Sequence, residues 1–365
     1  MKIQAVKTHL LEIPFHDGGK GEGIGPTTWK QLDLLLVEVH DEQGNVGWGE
    51  GFGYFVTRST RGIVDRLIAP TLVGETVVDV PAWNRMAQRR LHLFGRYGVT
   101  LFAISAVDIA LWDLAAKRAG VPLSHLLARG GVRPSAPFYA SLVRYADPAL
   151  VARIARDALD DGFTSLKLHE IAMPELDAVR SAVGPDVPIS VDVNANWSFE
   201  ETEAFLPTLE RLPTWWLEEP IFPPEDGTRL ARLRGRGVPI AAGENWSTSV
   251  QFEEMVRLGA VDVLQPSVTK VGGISEFLAI ADLAEAHGLP LLPHSPYFGP
   301  GFFASLHLAA ALDQVRELEW LYVQPEAWIA PIARSQRQPW HVDVPTTPGI
   351  GFEPDPVVME RYRVE

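Results

Sequence analysis

The sequence predicts an α/β protein: a large barrel of alternating strands and helices behind a smaller α+β domain. Two observations carry this. Asp192, Glu218 and Glu244 recur 26 positions apart, in the apolar runs VPISVDVNAN (187–196), TWWLEEP (214–220) and VPIAAGEN (238–245). A helix-like stretch follows each run before the next begins, which is the βα repeat of a parallel sheet with a carboxylate at the end of three successive strands. The chain is also long enough, at 365 residues, for such a barrel plus a second, smaller domain.

The N-terminal part has a different rhythm. Residues 3–11 and 31–39 alternate as strands, Asp41-Glu42-Gln43-Gly44-Asn45 is a turn, and 46–50 returns as a third strand, giving an antiparallel meander. Helical spacing follows, most clearly over 101–118, and Gly130-Gly131 with Pro134 marks a boundary. Barrel strands are expected at 136–143, 163–169, 189–194, 215–218, 240–244, 261–266, 291–294 and 316–321. Helices are expected between them, including 148–159, 199–212, 249–258 and 274–287. The domains are therefore drawn as 1–130, 131–325 and a tail, 326–365. That tail, rich in proline, tryptophan and charge, is expected to pack back on the first domain.

Composition narrows the function. A formal charge of -14 argues against nucleic acid or an anionic membrane as partner. No uninterrupted apolar run approaches the ~20 residues of a membrane helix, and the first residues lack the hydrophobic stretch of a signal peptide. The absence of cysteine removes disulfide and thiolate chemistry and suits a reducing cytoplasm. Most of the eleven tryptophans and 16 phenylalanines are expected in the core.

The chemistry is concentrated at the strand ends. In order they give Lys167 with His169, Asp192 with Asn194, Glu218, Glu244, Gln265 with Ser267, His294 and Glu319. Residues i and i+2 of a strand face the same side, so both members of each pair can point into one mouth. Nothing about folding needs acid there. Three converging carboxylates repel one another unless a hard divalent cation neutralises them. All-oxygen ligands point to Mg²⁺, with Mn²⁺ also fitting. Glu219, next to Glu218, is expected to face the opposite way and make a structural contact.

These residues resemble the enolase superfamily, mandelate racemase/muconate lactonizing enzyme type. The resemblance rests on Ser105-Ala106-Val107-Asp108-Ile109-Ala110-Leu111-Trp112-Asp113, Lys167-Leu168-His169, the three-acid ladder, Gly243-Glu244-Asn245, Lys270-Val271-Gly272-Gly273, His294, Leu318-Glu319 and Pro348-Gly349-Ile350-Gly351. It implies a modified TIM barrel, (β/α)7β, under an α+β N-terminal capping domain. It also implies Mg²⁺-assisted removal of the proton α to a carboxylate, giving an enediolate. Lys167 then corresponds to the first lysine of the family's KxK pair and contacts the carboxylate. Asn194 hydrogen-bonds the same group, and Glu319 donates to the enediolate if a raised pKa keeps it protonated. A small-molecule carboxylate substrate and a homo-oligomer are expected.

Two positions depart from the racemase pattern. His169 replaces the second lysine, and an imidazole there is either a base at neutral pH or only a pocket wall. Ser267 stands where racemase-like members carry the aspartate that supports the histidine at position 294, so His294 is expected to be the weaker base. Lys270 is expected to be structural. The resemblance assigns substrate shape to the first domain's loops. The segments 16–23, with His16 and Lys20, and 51–55, with Tyr54, are candidate lids, and His16, Lys20 and Tyr54 are candidates to touch a second polar end of the substrate. Rings near Tyr297-Phe298 would suit an apolar part. Dehydration of a sugar acid is the leading expectation. Racemisation, epimerisation or cycloisomerisation is the alternative, and a catalytically silent binding or structural member is a third.

Overall fold

A computed structural model describes residues 1–19, 29–335 and 340–364. The N-terminal meander consists of β1 (Ile3–His16), β2 (Gln31–Asp41) and β3 (Val46–Gly51), all antiparallel. β1 runs five residues beyond its expected end because pairing continues through Glu12↔Asp33 to Pro14↔Gln31 and buries Ile13 and Phe15.

Across this sheet lies the helix Val99–Ala119, ended by Gly120 in the left-handed region at φ 69°. It is long and apolar enough by composition to cross a membrane, yet 78% of that stretch is buried inside the fold. Its approach to β3 is backbone-close. A Cβ on Gly47 or Gly49 would sit 2.1 or 1.8 Å from the carbonyl oxygens of Ala110 and Ala106. Only glycine permits that contact.

Two buried aspartates make the same helix the joint of the molecule. Asp108 accepts hydrogen bonds from Asn84 at 2.7 Å and from the backbone and hydroxyl of Ser275 at 3.0 and 2.6 Å. Ser275 belongs to the barrel helix Gly273–His287, so Asp108 fastens one domain to the other. Asp113 accepts from Trp48 N in β3, Ile350 N in the tail and Lys117 Nζ, each at 2.8 Å. The run 105–113 is therefore a domain-docking element.

The barrel strands are β4 (Ser135–Leu142), β5 (Leu166–Leu168), β6 (Ile189–Asp192), β7 (Thr214–Glu218), β8 (Ile240–Ala242), β9 (Val263–Leu264) and β10 (Leu318–Leu321). Each pairs in parallel with the next through β9. β10 returns beside β4, from Leu318↔Phe138 to Leu321↔Ser141, which closes the ring. The expected strand at 291–294 is reduced to bridges from Leu291 to Leu264 and Val315. Pro290 and Pro293 flank it and have no N–H to give a ladder. Seven helices alternate with these eight strand positions, giving (β/α)7β.

The tail packs on both domains. Arg363–Val364 adds to β1, as does Gln324–Pro325 just ahead of the tail, whereas His341–Asp343 runs antiparallel to barrel strand β4. Alongside its packing on the first domain, the tail pairs with Ser135–Pro137 of β4, ahead of the stretch that pairs with β5.

Gly49→Ala should lower stability by about 2–3 kcal/mol through overpacking. Gly62→Ala, in the helix Thr57–Ile63 with nothing within 4 Å of its would-be Cβ, should leave stability unchanged or raise it by up to ~1 kcal/mol. Urea midpoints for the two variants check this, and an unmoved midpoint for Gly49→Ala would refute the close-contact argument.

Candidate active site: a buried acidic triad and its lysine

The barrel strands deliver their functional side chains to one mouth by register. Asp192 and Glu218 are direct ladder partners at the ends of β6 and β7. Glu244 lies two residues beyond β8, after Gly243 at φ 141°, where a Cβ would press on Gln265 N at 3.0 Å. One oxygen from each of the three carboxylates lies within 4.8 Å of the others, and all three residues are buried.

Lys167 sits beneath them, fully buried in β5. Its Nζ is 3.3 Å from Asp192, 3.1 Å from Glu218 and 2.8 Å from Glu319. Burial alone would push its pKa down, but Glu218, Glu319 and Asp192 hold it well above the ordinary lysine value, so it stays an ammonium. Glu218 also accepts from Trp216 Nε1 at 3.1 Å and Gln265 Nε2 at 2.7 Å. Even so, burial and Asp192 push it well above the usual carboxylate range.

The charge count does not close on protein groups alone. Ionised together, Asp192, Glu218, Glu244 and Glu319 would carry four negative charges against two ammonium groups, those of Lys167 and of Lys270 beside Glu244. Each like-charge pair at the triad's spacing costs roughly 3–4 kcal/mol at an effective dielectric of about 20. A divalent cation with a preference for oxygen removes most of that cost, and the donor set fits Mg²⁺, with Mn²⁺ next.

Two histidines flank the acids. His169 Nε2 is 3.3 Å from Asp192, and its Nδ1 is 2.5 Å from the Leu142 carbonyl. A carbonyl only accepts, so Nδ1 carries hydrogen and Nε2 is the nitrogen that can take a proton. His294 Nε2 lies 3.0 Å from Glu244, on the far side of the triad. Its Nδ1 meets two hydroxyls, Ser267 Oγ at 3.2 Å and Tyr297 Oη at 3.1 Å, which also bond to each other. Burial raises the Tyr297 phenol, which therefore remains neutral. Tyr297 is the neighbour that the sequence did not reveal. Three positions after His294, it looked like part of an aromatic run.

Other expectations are corrected by geometry. Glu319 accepts from Ser141 Oγ at 2.6 Å and Ser295 N at 3.2 Å. Burial pushes its pKa up, but Lys167 and His294 outweigh it and leave the carboxyl below its usual range, opposite to what a protonated donor needs. Glu219 does not face away. Strand β7 ends at Glu218, and Glu219 adopts φ 40°, which breaks the alternation. Its carboxylate accepts from Asn245 Nδ2 at 2.7 Å, and burial with Glu244 nearby raises it to about 8. Lys270, expected to be structural, lines the same site: its Nζ donates to Asn245 Oδ1 at 2.8 Å and lies 4.6 Å from the centre of the Phe52 ring.

Above the triad is a cavity of about 210 Å³. His169, Asn194, Glu244, Lys270, His294 and Glu319 line its polar side. Trp29, Phe52, Tyr54 and Phe55 line the other, with Tyr54 edge-on to both Trp29 and Phe52. Tyr54 lines this cavity. His16 does not. It is exposed at the end of β1, opposite Gln324, and borders a separate cleft with Arg153 and Asp161. Strand alternation buries its neighbours Phe15 and Asp17 and turns His16 outward. Lys20 lies outside the described residues. The apolar wall comes from Trp29 and residues 52–55 rather than from Phe298, which packs against Trp328. Trp29 Nε1 is buried with no hydrogen-bond partner among the described residues. No pattern in the sequence marks Trp29, whose role depends on where the capping domain sits.

Comparison with known proteins agrees with this geometry. Residues 22–128 match the mandelate racemase / muconate lactonizing enzyme N-terminal domain, and 150–358 match the enolase C-terminal domain-like family. The arabinonate dehydratase of Saccharolobus solfataricus is 30% identical over 91% of each chain. The D-galactarolactone cycloisomerase of Agrobacterium fabrum is 31% identical over 100% of this chain and 99% of its own. A racemase from Streptomyces coelicolor A3(2), solved with bound magnesium, superimposes with a TM-score of 0.87 at 28% identity, covering 99% of this chain and 100% of its own. Fold, acid ladder and matches along both domains agree, and the chain belongs to the mandelate racemase/muconate lactonizing enzyme family of the enolase superfamily.

Proposed function

We propose that the protein removes the proton α to the carboxylate of a sugar acid and expels the β-hydroxyl as water, leaving a 2-keto acid. The observation that carries this reading is the pair of histidines on opposite sides of the triad, each with a different support at Nδ1. A magnesium ion held by Asp192, Glu218 and Glu244 would supply positive charge to the substrate carboxylate. The buried Lys167 ammonium adds a second, fixed positive charge where negative charge develops.

In this reading His169 is the base. The Leu142 carbonyl holds hydrogen on Nδ1, so the Nε2 lone pair accepts the α-proton. His294 is the acid. Its Nδ1 faces hydroxyls that can donate or accept, so the ring can release a proton from Nε2 to the leaving hydroxyl and be stabilised afterwards as the neutral form. The C–O bond breaks, water leaves, and the enol product tautomerises to the 2-keto acid. Glu319, held ionised by Lys167, acts here as the partner that fixes the ammonium, while Asn194 offers an amide to the carboxylate. The aromatic wall suits the C–H face of a sugar, and Trp29 Nε1 and Lys270 offer donors to its distal hydroxyls.

The similarity to a D-galactarolactone cycloisomerase supports a second reading. There the same base takes the α-proton, but His294 returns a proton to carbon. The proposal extends to a homo-oligomeric enzyme in the cytoplasm. Incubation with Mg²⁺ in D₂O against a panel of acid sugars separates the readings. A new 2-keto product indicates dehydration, α-deuteration with water retained indicates isomerisation, and inertness throughout the panel would refute both.

Glu218→Gln should abolish turnover together with calorimetric Mg²⁺ binding. In EDTA the variant should melt no lower than wild type, because a neutral amide escapes the burial and like-charge cost that pushes the Glu218 carboxyl up. Full activity of Glu218→Gln in EDTA would sink the metal assignment.

His169→Asn and His294→Asn should each slow turnover by about 10²–10⁴-fold. His294→Asn should still exchange the substrate's α-proton with D₂O, whereas His169→Asn and Lys167→Ala should not. Exchange that survives in His169→Asn would make that imidazole a pocket wall.

Trp29→Phe removes only the indole donor and should raise KM roughly three- to tenfold with kcat little changed. An unchanged KM would exclude a hydrogen bond from Trp29 to substrate.

A further inference from the structure

Glu50 is a buried carboxylate between cap and barrel that takes no part in the proposed chemistry. It stands near the end of β3 and is 3% exposed. Among the described residues no basic side chain pairs with it. Burial pushes its carboxyl up to about 7, and only the N–H groups of Gly301 and Gly299 oppose that rise. A buried acid without a counter-charge costs stability. A valine or leucine would fill a core position without that penalty.

The donors to Glu50 sit at a sensitive place. Gly301 N, in the first turn of the barrel helix Pro300–Ala311, gives its hydrogen to Glu50 Oε2 at 2.7 Å. Gly299, the residue before this helix, has no side chain with which to cap it. A carboxylate from the other domain satisfies the free N–H groups instead. The fit leaves no room for a larger residue. A Cβ on Gly299 or Gly301 would lie 2.8 or 3.0 Å from Glu50 Oε2.

Just ahead of this turn, the segment 294–299 is neither helix nor strand. It carries His294, the ring assigned above as the acid, with Tyr297 Oη 3.1 Å from its Nδ1. A Cβ on Gly301 would also lie 3.2 Å from Tyr297 Cδ2, so the phenol ring packs on the same turn. In the other direction β3 leads within two residues to Phe52, whose ring centre is 6.3 Å from that of His294. Glu50 is thus tied by its backbone to the aromatic wall and by hydrogen bond to the arm that holds His294. Neither path reaches His169, which is fixed by the Leu142 carbonyl.

We propose that Glu50 is a positioning residue for His294: its hydrogen bonds to the first turn of Pro300–Ala311 hold the His294–Tyr297 arm in register with the aromatic wall and leave His169 untouched. Resting as it does on the reading of His294 given above, this role belongs to the second half of the reaction, after the α-proton has gone. General support of the fold would serve both halves alike.

Glu50→Ala and Glu50→Gln, assayed in D₂O with Mg²⁺ and the acid sugar that wild type converts, test it. In Glu50→Ala, kcat for product formation should fall roughly ten- to a hundredfold with KM little changed. Deuterium should still enter the α-position of recovered substrate no more slowly than with wild type. Glu50→Gln keeps the shape and an acceptor oxygen, and should recover most of the lost kcat. The proposal is overturned if exchange and product formation fall together in folded Glu50→Ala, or if the Gln variant is no better than Ala. Amide hydrogen exchange on the substrate-free proteins judges the link apart from the reaction. Protection of 294–301 should drop about tenfold or more in Glu50→Ala and return in Glu50→Gln, with β5 to β8 unmoved. Unchanged protection overturns the proposal even if the enzyme is a dehydratase. A wild type inert on every acid sugar refutes the reaction instead, and the link then stands or falls on amide exchange.

Discussion

Concentrated buried negative charge governs the architecture of the barrel mouth. Asp192, Glu218 and Glu319 converge on the Lys167 ammonium, and Glu244 pairs with His294, with Glu219 alongside. Desolvated like charges are tolerable only if opposite charge and hydrogen bonds meet them. Much of the surrounding structure does this: Trp216 and Gln265 hold Glu218, Ser141 and Ser295 hold Glu319, and Asn245 joins Glu219 to Glu244. What remains uncompensated is a reservation for a divalent cation, and the substrate's carboxylate can then bind where acids would otherwise repel it.

The same constraint explains how the two domains cooperate. The barrel supplies the charge, and the capping domain brings the aromatic wall of Trp29, Phe52, Tyr54 and Phe55 to the cavity. That placement requires rigid docking, which Asp108 and Asp113 provide by tying one helix to β3, the barrel and the tail. Glu50 adds a further link. It is a buried β3 carboxylate that accepts from Gly301 N at 2.7 Å in the barrel, and burial pushes its pKa to about 7. A small shift of the cap would therefore move the pocket wall relative to the histidines, a sensitive coupling for a reaction that depends on position.

His294 shows how one missing aspartate is absorbed. A carboxylate at Nδ1 would fix one tautomer and stabilise the imidazolium. The Ser267–Tyr297 hydroxyl pair does neither, because each hydroxyl can donate or accept. His169, by contrast, is fixed by a carbonyl. The two rings differ in support rather than in type, and that asymmetry separates base from acid in the proposed reaction.

The amino-acid order by itself determined the barrel, the metal acids and the lysine, because a parallel sheet repeats at a nearly constant interval and side-chain direction follows from period two. Asp192, Glu218, Glu244 and Lys167 were legible for that reason. Legibility failed where the chain leaves regular structure. Glu219 takes a positive φ just after β7, so alternation no longer gave its direction, and the prolines around Leu291 removed a ladder that its apolar run promised. Contacts distant in sequence were equally hidden. The pairing of Tyr297 with His294 and Ser267, the turn of Lys270 toward Asn245 and Phe52, the outward face of His16 and the place of Trp29 over the mouth all depend on how separate loops meet. Local periodicity carries no record of such meetings. They are decided by domain docking, where burial and hydrogen bonding between segments hundreds of residues apart select one arrangement.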